Sequence, residues 1–131
     1  MSVFEPIVPP ALDILRAKRG YSPGVRVGNL LLISGMLGRD SDLAIVADPE
    51  AQLVQMFDNM GLVLDEAGCG WTELVEMTAY CTHLQRDFEL FMTVRKRYLG
   101  EPYPAMTMIG VAELAQPGLI CELKGMAAIP G

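Results

Sequence analysis

A single acidic residue within an apolar segment is the strongest catalytic candidate in this 131-residue sequence. Glu122 lies between Cys121 and Leu123. Burial there without a neighbouring cation would raise the pKa of its carboxyl group and suit it to proton transfer. The alternative is a carboxylate at the rim of a sheet, or one paired with a nearby Lys or Arg. On the residues alone, that structural interpretation is the commoner one.

Other chemical signatures are missing from the sequence. His83 is the only histidine, and no cysteine or carboxylate stands at ligand spacing around it, so no metal site is expected. No phosphate-binding glycine loop or nucleophile elbow occurs either. The three cysteines, Cys69, Cys81 and Cys121, are odd in number and lack CxxC spacing, which favours free thiols in a reducing compartment.

Composition and charge restrict the class of partner. The net charge is −6 and the sequence pI about 4.6, which disfavours binding to nucleic acid phosphates. The sequence shows no export signal and no uninterrupted apolar run of about 18 residues, so we expect a cytoplasmic protein that does not bind membranes. The chain is long enough for one domain, and 51% of its residues are hydrophobic. Part of the apolar surface is therefore expected to be buried between subunits.

The order of the expected elements predicts an α+β fold. Residues 1–20 are interpreted as an N-terminal arm, because three prolines discourage regular structure there, and residues 21–131 as a single domain. A hairpin turns at Gly28-Asn29. One helix is capped by Asp48 and a second by Asp87. The remaining strands are expected at 43–46, 74–82, 105–112 and 119–129.

Right-handed crossovers would place both helices on one face of a mixed sheet of about six strands. The other face is expected to carry apolar residues such as Leu119, Cys121 and Leu123, or their neighbours of opposite parity, and no further element remains to cover it. Another copy of the chain is therefore expected to bury it.

Six short segments, in their order and spacing, resemble the RidA/YjgF/UK114 family. They are 20–25 (GYSPGV), 32–35 (LISG), 59–68 (NMGLVLDEAG), 87–88 (DF), 103–105 (YPA) and 122–127 (ELKGMA). The resemblance implies a chorismate-mutase-like fold of the bacillus type and a homotrimer with a central barrel and ligand clefts between subunits. It also implies hydrolysis of reactive enamines or imines to a keto acid and ammonia, without a metal or organic cofactor.

Residue by residue, the resemblance places the water-positioning glutamate at Glu122 and the substrate-orienting residues at Tyr21 and Ser34. The position of its carboxylate-binding arginine holds Met106. A thioether donates no hydrogen bond, so the usual amino-acid-derived enamines are expected to bind poorly. On the residues alone, Tyr21 could instead be loop packing and Ser34 a strand-end hydroxyl that bonds to the backbone.

Three further methionines occupy positions that the resemblance assigns to the same cleft, namely Met36, Met92 and Met108. Together with Met106 they would form an apolar, adaptable pocket, although each could equally fill core space. Arg39 or Arg86 would then supply a replacement contact for an anion.

Two functions from different classes follow. The first is hydrolytic deaminase-type activity on a small organic metabolite, an enamine, imine or related C–N compound other than the usual amino-acid-derived enamines. The alternative is a non-catalytic, small-molecule-binding or regulatory trimer. The ribonuclease activity attributed to some relatives is the weakest hypothesis, because the chain is acidic and lacks a basic stripe.

Overall fold

A mixed six-stranded sheet with two helices on one face organises residues 2–131, which the computed structural model describes. The strands are β1 (Glu5–Ile7), β2 (Gly24–Val27), β3 (Leu30–Leu37), β4 (Leu74–Cys81), β5 (Ala105–Gly110) and β6 (Cys121–Ala128), and the helices are α1 (Pro49–Glu66) and α2 (Leu84–Arg95). Their order across the sheet is β1-β2-β3-β6-β4-β5. Only β4 and β5 run parallel. The α+β prediction is confirmed.

The sixth strand differs from the expected one. Ile45, in the segment expected as a strand at 43–46, forms only an isolated bridge with Arg39. The sixth strand is instead β1, which pairs with β2. Short helical turns follow β1, and Ile7, Leu12 and Leu15 are buried in the core. The segment interpreted as an arm therefore contributes to the same sheet and core as the rest of the chain.

The starts of the two helices differ in how well the sequence marks them. The Asp48 side chain accepts a hydrogen bond from the backbone N–H of Ala51 (2.9 Å), so it caps α1 as expected. The expected cap of α2 at Asp87 is wrong, because the helix begins at Leu84. Asp87 lies in the first turn, where a carboxylate still interacts favourably with the helix dipole.

The core lies between the sheet and the helices. Helix α1 packs over β3 and β6, and α2 packs over β4 and β5. Alternation along the strands places Cys121 and Leu123 towards the helices and Glu122 on the opposite face. That face also carries Leu32 and Ile109, which are 38% and 40% exposed. Within the described chain it is uncovered.

A buried amide joins α1 to two loops. The Gln52 Nε2 donates to the carbonyl oxygens of Val46 and Gly118, both at 2.9 Å. The Gln52 Oε1 accepts from the backbone N–H of Ile120 (2.7 Å). Because Gln52 is 1% exposed, water cannot easily replace these bonds, and the side chain fixes the segment that leads into β6.

We expect Gln52→Ala to lower the free energy of unfolding by about 3 kcal/mol, because it leaves three backbone groups without partners. Gln55→Ala is the matched control on the same helix. It removes one bond to Asn59 and should lower the value by less than about 1 kcal/mol. Urea unfolding measures both, and equal losses would contradict the role given to Gln52.

Candidate functional site

A β-bulge in β3 shapes the candidate site. Ile33 pairs with Gly125 and Met36 pairs with Leu123, so Ser34 and Gly35 together oppose a single residue of β6. Bulges of this kind bend a strand and redirect its side chains, and they are frequent beside active sites. Beyond the bulge, Leu37 aligns with Glu122. The bulge therefore lies next to the strongest catalytic candidate.

Four of the predicted site residues line one open pocket of roughly 570 Å³. They are Tyr21, Ser34, Arg39 and Glu122. The pocket also includes Arg19, Gly35 and Gln116, which the sequence did not single out as functional. It opens at the end of the sheet where β3 finishes and β6 begins.

The Glu122 carboxyl group is half-buried, and desolvation raises its pKa above the ordinary value. The positive charges of Arg39 and Lys124 oppose this increase. Neither cation forms an ion pair with Glu122 within the described residues, whose salt bridges lie elsewhere. The carboxyl group is thus held near two cations while remaining available to a ligand or water.

Gly35 provides the space that the Glu122 side chain occupies. A Cβ atom at this position would lie 2.5 Å from Glu122 Oε2 and 2.6 Å from Cδ. Only a residue without a side chain allows the carboxyl group to lie against the bulge. The Ser34-Gly35 segment was noted for its resemblance, but nothing in the sequence showed its contact with the last strand.

Arg39 is a buried cation without a carboxylate partner among the described residues. It is 7% exposed, its Nη2 donates to Gln116 Oε1 (2.9 Å), and its Nε has no hydrogen-bond partner within residues 2–131. Asn59 Nδ2 donates to the carbonyl oxygens of Leu37 (2.8 Å) and Arg39 (2.9 Å) and so fixes this backbone. Such a guanidinium is suited to binding an anion that enters the pocket.

The hydroxyl groups of Tyr21 and Ser34 have different environments. The Tyr21 side chain is 38% exposed, and desolvation raises its pKa; Arg39 opposes the increase and Glu122 adds to it. The Ser34 Oγ donates to the carbonyl oxygen of Ser22 (2.6 Å). The hydroxyl proton of Ser34 is therefore donated to the backbone. This is the second role considered for Ser34, that of a strand-end hydroxyl that bonds to the backbone. Its oxygen still has lone pairs that could accept a hydrogen bond from a ligand.

The predicted methionine lining does not form around Glu122 within one chain. Met36 is 2% exposed and belongs to the core, which is the alternative role considered for it. Met106 and Met108 align with Met77 and Ala79, so all four face the helices. Glu122 faces the other way, and β4 lies between it and β5.

Two further predicted residues also lie outside this pocket. Met92, on α2, packs against the core. Arg86 donates from Nε and Nη2 to the two carboxylate oxygens of Asp87, both at 2.9 Å. Arg86 lines a neighbouring open pocket with Thr82 and His83, so of the two predicted arginines Arg39 is the one that lies in the pocket of Glu122. A contact between Met106, Met92 or Met108 and Glu122 across subunits stays a prediction.

Neither a metal cluster nor a membrane-spanning helix is found among residues 2–131. Histidine, cysteine and carboxylate side chains form no group of three or more able to hold an ion there. No helix within that range is long and apolar enough to cross a membrane.

Comparisons with known proteins agree with this architecture. The family model described as Endoribonuclease L-PSP matches residues 12–129. The RutC family protein YjgH of Escherichia coli K12 is 34% identical over 125 residues, which cover 95% of this chain and 94% of that protein. The solved structure of Protein YJGH has a TM-score of 0.91 at 33% identity and covers 99% of both chains. A Bos taurus protein named 2-iminobutanoate/2-iminopropanoate deaminase is 31% identical over 109 residues, 82% of this chain and 78% of that protein.

The one-sided mixed sheet is an α+β fold shared with the solved structure of Protein YJGH. The chain belongs to the RidA/YjgF/UK114 family. The resemblance found in the six sequence segments is confirmed.

Gly35→Ala is expected to displace the Glu122 carboxyl group without unfolding the protein, because the group it meets is the end of a flexible side chain. Release into solvent should then move the Glu122 pKa back towards its ordinary value. A carbon-detected NMR titration of the carboxyl group measures this shift. Gly100→Ala is the control, since nothing lies within 4 Å of its added Cβ. An unchanged Glu122 titration in Gly35→Ala would contradict the contact.

Glu122→Gln is expected to stabilise the protein relative to the native chain at pH 7.5 but not at pH 4. The raised folded-state pKa means that folding favours the protonated carboxyl group. The free energy of unfolding that comes from this preference is fully present below the unfolded-state pKa of about 4.3. It is lost as the pH rises through the folded-state pKa. Urea unfolding at both pH values measures the difference. A difference that stays constant with pH would show that burial does not perturb this group.

Proposed function

We propose that the protein hydrolyses the C–N bond of an enamine or imine, with Glu122 activating water and Arg39 binding an anionic group of the substrate. One observation carries the proposal: a buried guanidinium without a carboxylate partner lines the same pocket as a carboxyl group of raised pKa. The deaminase name of the Bos taurus relative supports the reaction class.

In the proposed reaction an enamine first tautomerises to the imine. Glu122 in its carboxylate form accepts a proton from water as the water oxygen attacks the imine carbon. Glu122 returns this proton to the nitrogen, which gives the neutral carbinolamine. The hydroxyl proton is then transferred to the same nitrogen as the C–N bond breaks, so ammonia leaves as the carbonyl forms. A raised pKa brings the carboxyl group closer to the range in which it can both accept and return a proton near neutral pH.

The location of the cation distinguishes the proposed substrate from the usual one. The resemblance implies an arginine at position 106, whereas this chain carries methionine there and an arginine at position 39. An anionic substrate anchored by Arg39 approaches Glu122 from the end of β3. The substrate is therefore an imine or related C–N compound whose anionic group and reacting carbon are spaced differently from those of the usual amino-acid-derived enamines.

Three subunits form the proposed assembly, with the face opposite the helices turned towards a central barrel. The apolar side chains on that face, such as Leu32, Met126 and Ile109, would lose water on association. Clefts between subunits would then adjoin the Glu122 pocket and could bring the methionines of a neighbouring copy close to it. The cysteines, which are unpaired in the described structure, are typical of a reducing compartment and support a cytoplasmic location.

The second candidate is a trimer that binds a small organic anion without chemistry. Its support is the Ser34 hydroxyl, whose proton is already donated to the Ser22 carbonyl. That leaves Tyr21 as the hydroxyl donor available to a reacting group. In this case Glu122 would not activate water, and its replacement by Gln would leave ligand affinity largely intact.

The test uses imines generated enzymatically from a panel of amino acids and amines, with release of ammonia as the measurement. Glu122→Gln should lower kcat at least about 100-fold through loss of the general base. Arg39→Gln should raise KM about tenfold or more for anionic substrates, because the charge-assisted contact is removed. Arg86→Gln is the matched control and should leave both constants unchanged.

Turnover that survives Glu122→Gln would refute the proposed mechanism. Absence of turnover across the panel, together with binding that depends on Arg39 and is indifferent to Glu122→Gln, would establish the binding protein instead.

A further inference from the structure

Two cysteines face each other across neighbouring strands at the end of the sheet. Cys81 is the last residue of β4 and Cys121 the first of β6, and the two are register partners. Their Sγ atoms lie 3.0 Å apart. Both side chains are buried on the helix side of the sheet, at 1% and 2% exposure. Cys69, the third cysteine, follows α1 and is not part of this pair.

The backbone geometry at this position suits a covalent bond between the two sulfurs. The backbone N–H of Thr82 donates to the Ile120 carbonyl (3.1 Å), so the adjacent Cys81–Cys121 pair is of the non-hydrogen-bonded type in the antiparallel ladder. Such pairs have Cα atoms about 4.5 Å apart, with their side chains close together. Disulfides form at Cα separations of about 4.4 to 6.8 Å. The strands need not move apart or together to form the bond.

We propose that Cys81 and Cys121 form a reversible oxidation site, at which hydrogen peroxide converts the two thiols into a cross-strand disulfide.

The reaction balances with one equivalent of peroxide. The sulfur of Cys81 attacks a peroxide oxygen, the O–O bond breaks, and Cys81 sulfenic acid and water form. The sulfur of Cys121 then attacks the Cys81 sulfur, an S–S bond replaces the S–O bond, and a second water leaves with the thiol proton. Two thiols lose two electrons in total, and hydrogen peroxide accepts them. A small thiol reductant reverses the bond by exchange.

The environment assigns different roles to the two sulfurs. Hydrogen bonding from the Cys121 thiol lowers the pKa of Cys81, whereas the same contact raises that of Cys121. The thiolate is the reactive form towards peroxide, so Cys81 reacts first and Cys121 resolves the sulfenic acid. Either sulfur can be the donor in this contact, and the same disulfide forms whichever of them is oxidised first.

The oxidant reaches the pair through local opening at the end of the sheet. Cys81 and Cys121 occupy strand ends, and the exposed segment 112–118 connects β5 to β6 beside them. Strand ends and exposed connections open with lower free energies than the centre of a core. A crosslink formed there holds β4 and β6 together one residue from Glu122.

The test treats the pre-reduced, full-length protein with hydrogen peroxide, counts free thiols in denaturant, and maps linked peptides by mass spectrometry. The native chain should fall from three thiols to one, with Cys81 and Cys121 in one crosslinked peptide pair. The matched control Cys69→Ser should fall from two to none by the same link. Cys121→Ala should yield no intramolecular link.

Thermal unfolding provides a second readout that does not depend on a variant. The oxidised native chain should melt several degrees above the reduced chain, because the link restricts the unfolded state. Retention of all three thiols, a link that includes Cys69, or links only between separate chains would each overturn the proposal. None of these readouts depends on imine hydrolysis, so a failure here is distinguishable from a failure of the proposed function.

Discussion

Two buried amides on α1 fix the chain segments that build the pocket. Asn59 binds the backbone carbonyls of Leu37 and Arg39, and Gln52 binds the segment that leads into β6. Both side chains are almost fully buried, in an environment where an unpaired polar group would strongly destabilise the fold. The helix thereby sets the distance between the residue that carries the positive charge and the strand that carries the negative one. The candidate site depends on this arrangement more than on any contact between its own side chains.

The pocket keeps opposite charges close without pairing them. Arg39 bonds to the neutral Gln116 rather than to Glu122, although its field is felt at the carboxyl group. A direct ion pair would lower the carboxyl pKa and occupy the guanidinium. Separation leaves each group able to interact with a ligand that carries an anionic group at one end and a reacting carbon at the other. Gly35 contributes by giving the carboxyl group a position against the bulge.

Local signals in the sequence predicted much of the architecture. The Gly28-Asn29 turn and the Asp48 cap depend on neighbouring residues only, and both are present in the structure. The alternation in β6 did not show which of its faces meets the helices: Cys121 and Leu123 were expected on the uncovered face, or else their neighbours, and the structure places the two residues in the core with Glu122 opposite. Pairing of β1 with β2 was not visible, because three residues that include a proline carry little strand signal of their own.

Most features of the site that the sequence did not predict depend on contacts between residues that are far apart in the chain. Met106 and Met108 share a strand face, as their spacing indicates, but only pairing with β4 shows that this face meets the helices. Arg39 was one of two candidate arginines, and the choice between them depends on where a loop folds. Its bond to Gln116 joins residues 77 positions apart. A pattern within a short window holds no information about such a contact.

The position of β6 in the sheet affects how the chain folds during synthesis. β6 follows the other five strands in the sequence but lies between β3 and β4 in the sheet. β3 and β4 therefore pair with β6 and not with each other. A nascent chain that lacks its final segment therefore presents two unpaired strand edges instead of a smaller finished sheet. The sheet can close only after β6 has left the ribosome, and the acidic residue of the pocket arrives with the same strand that closes the structure.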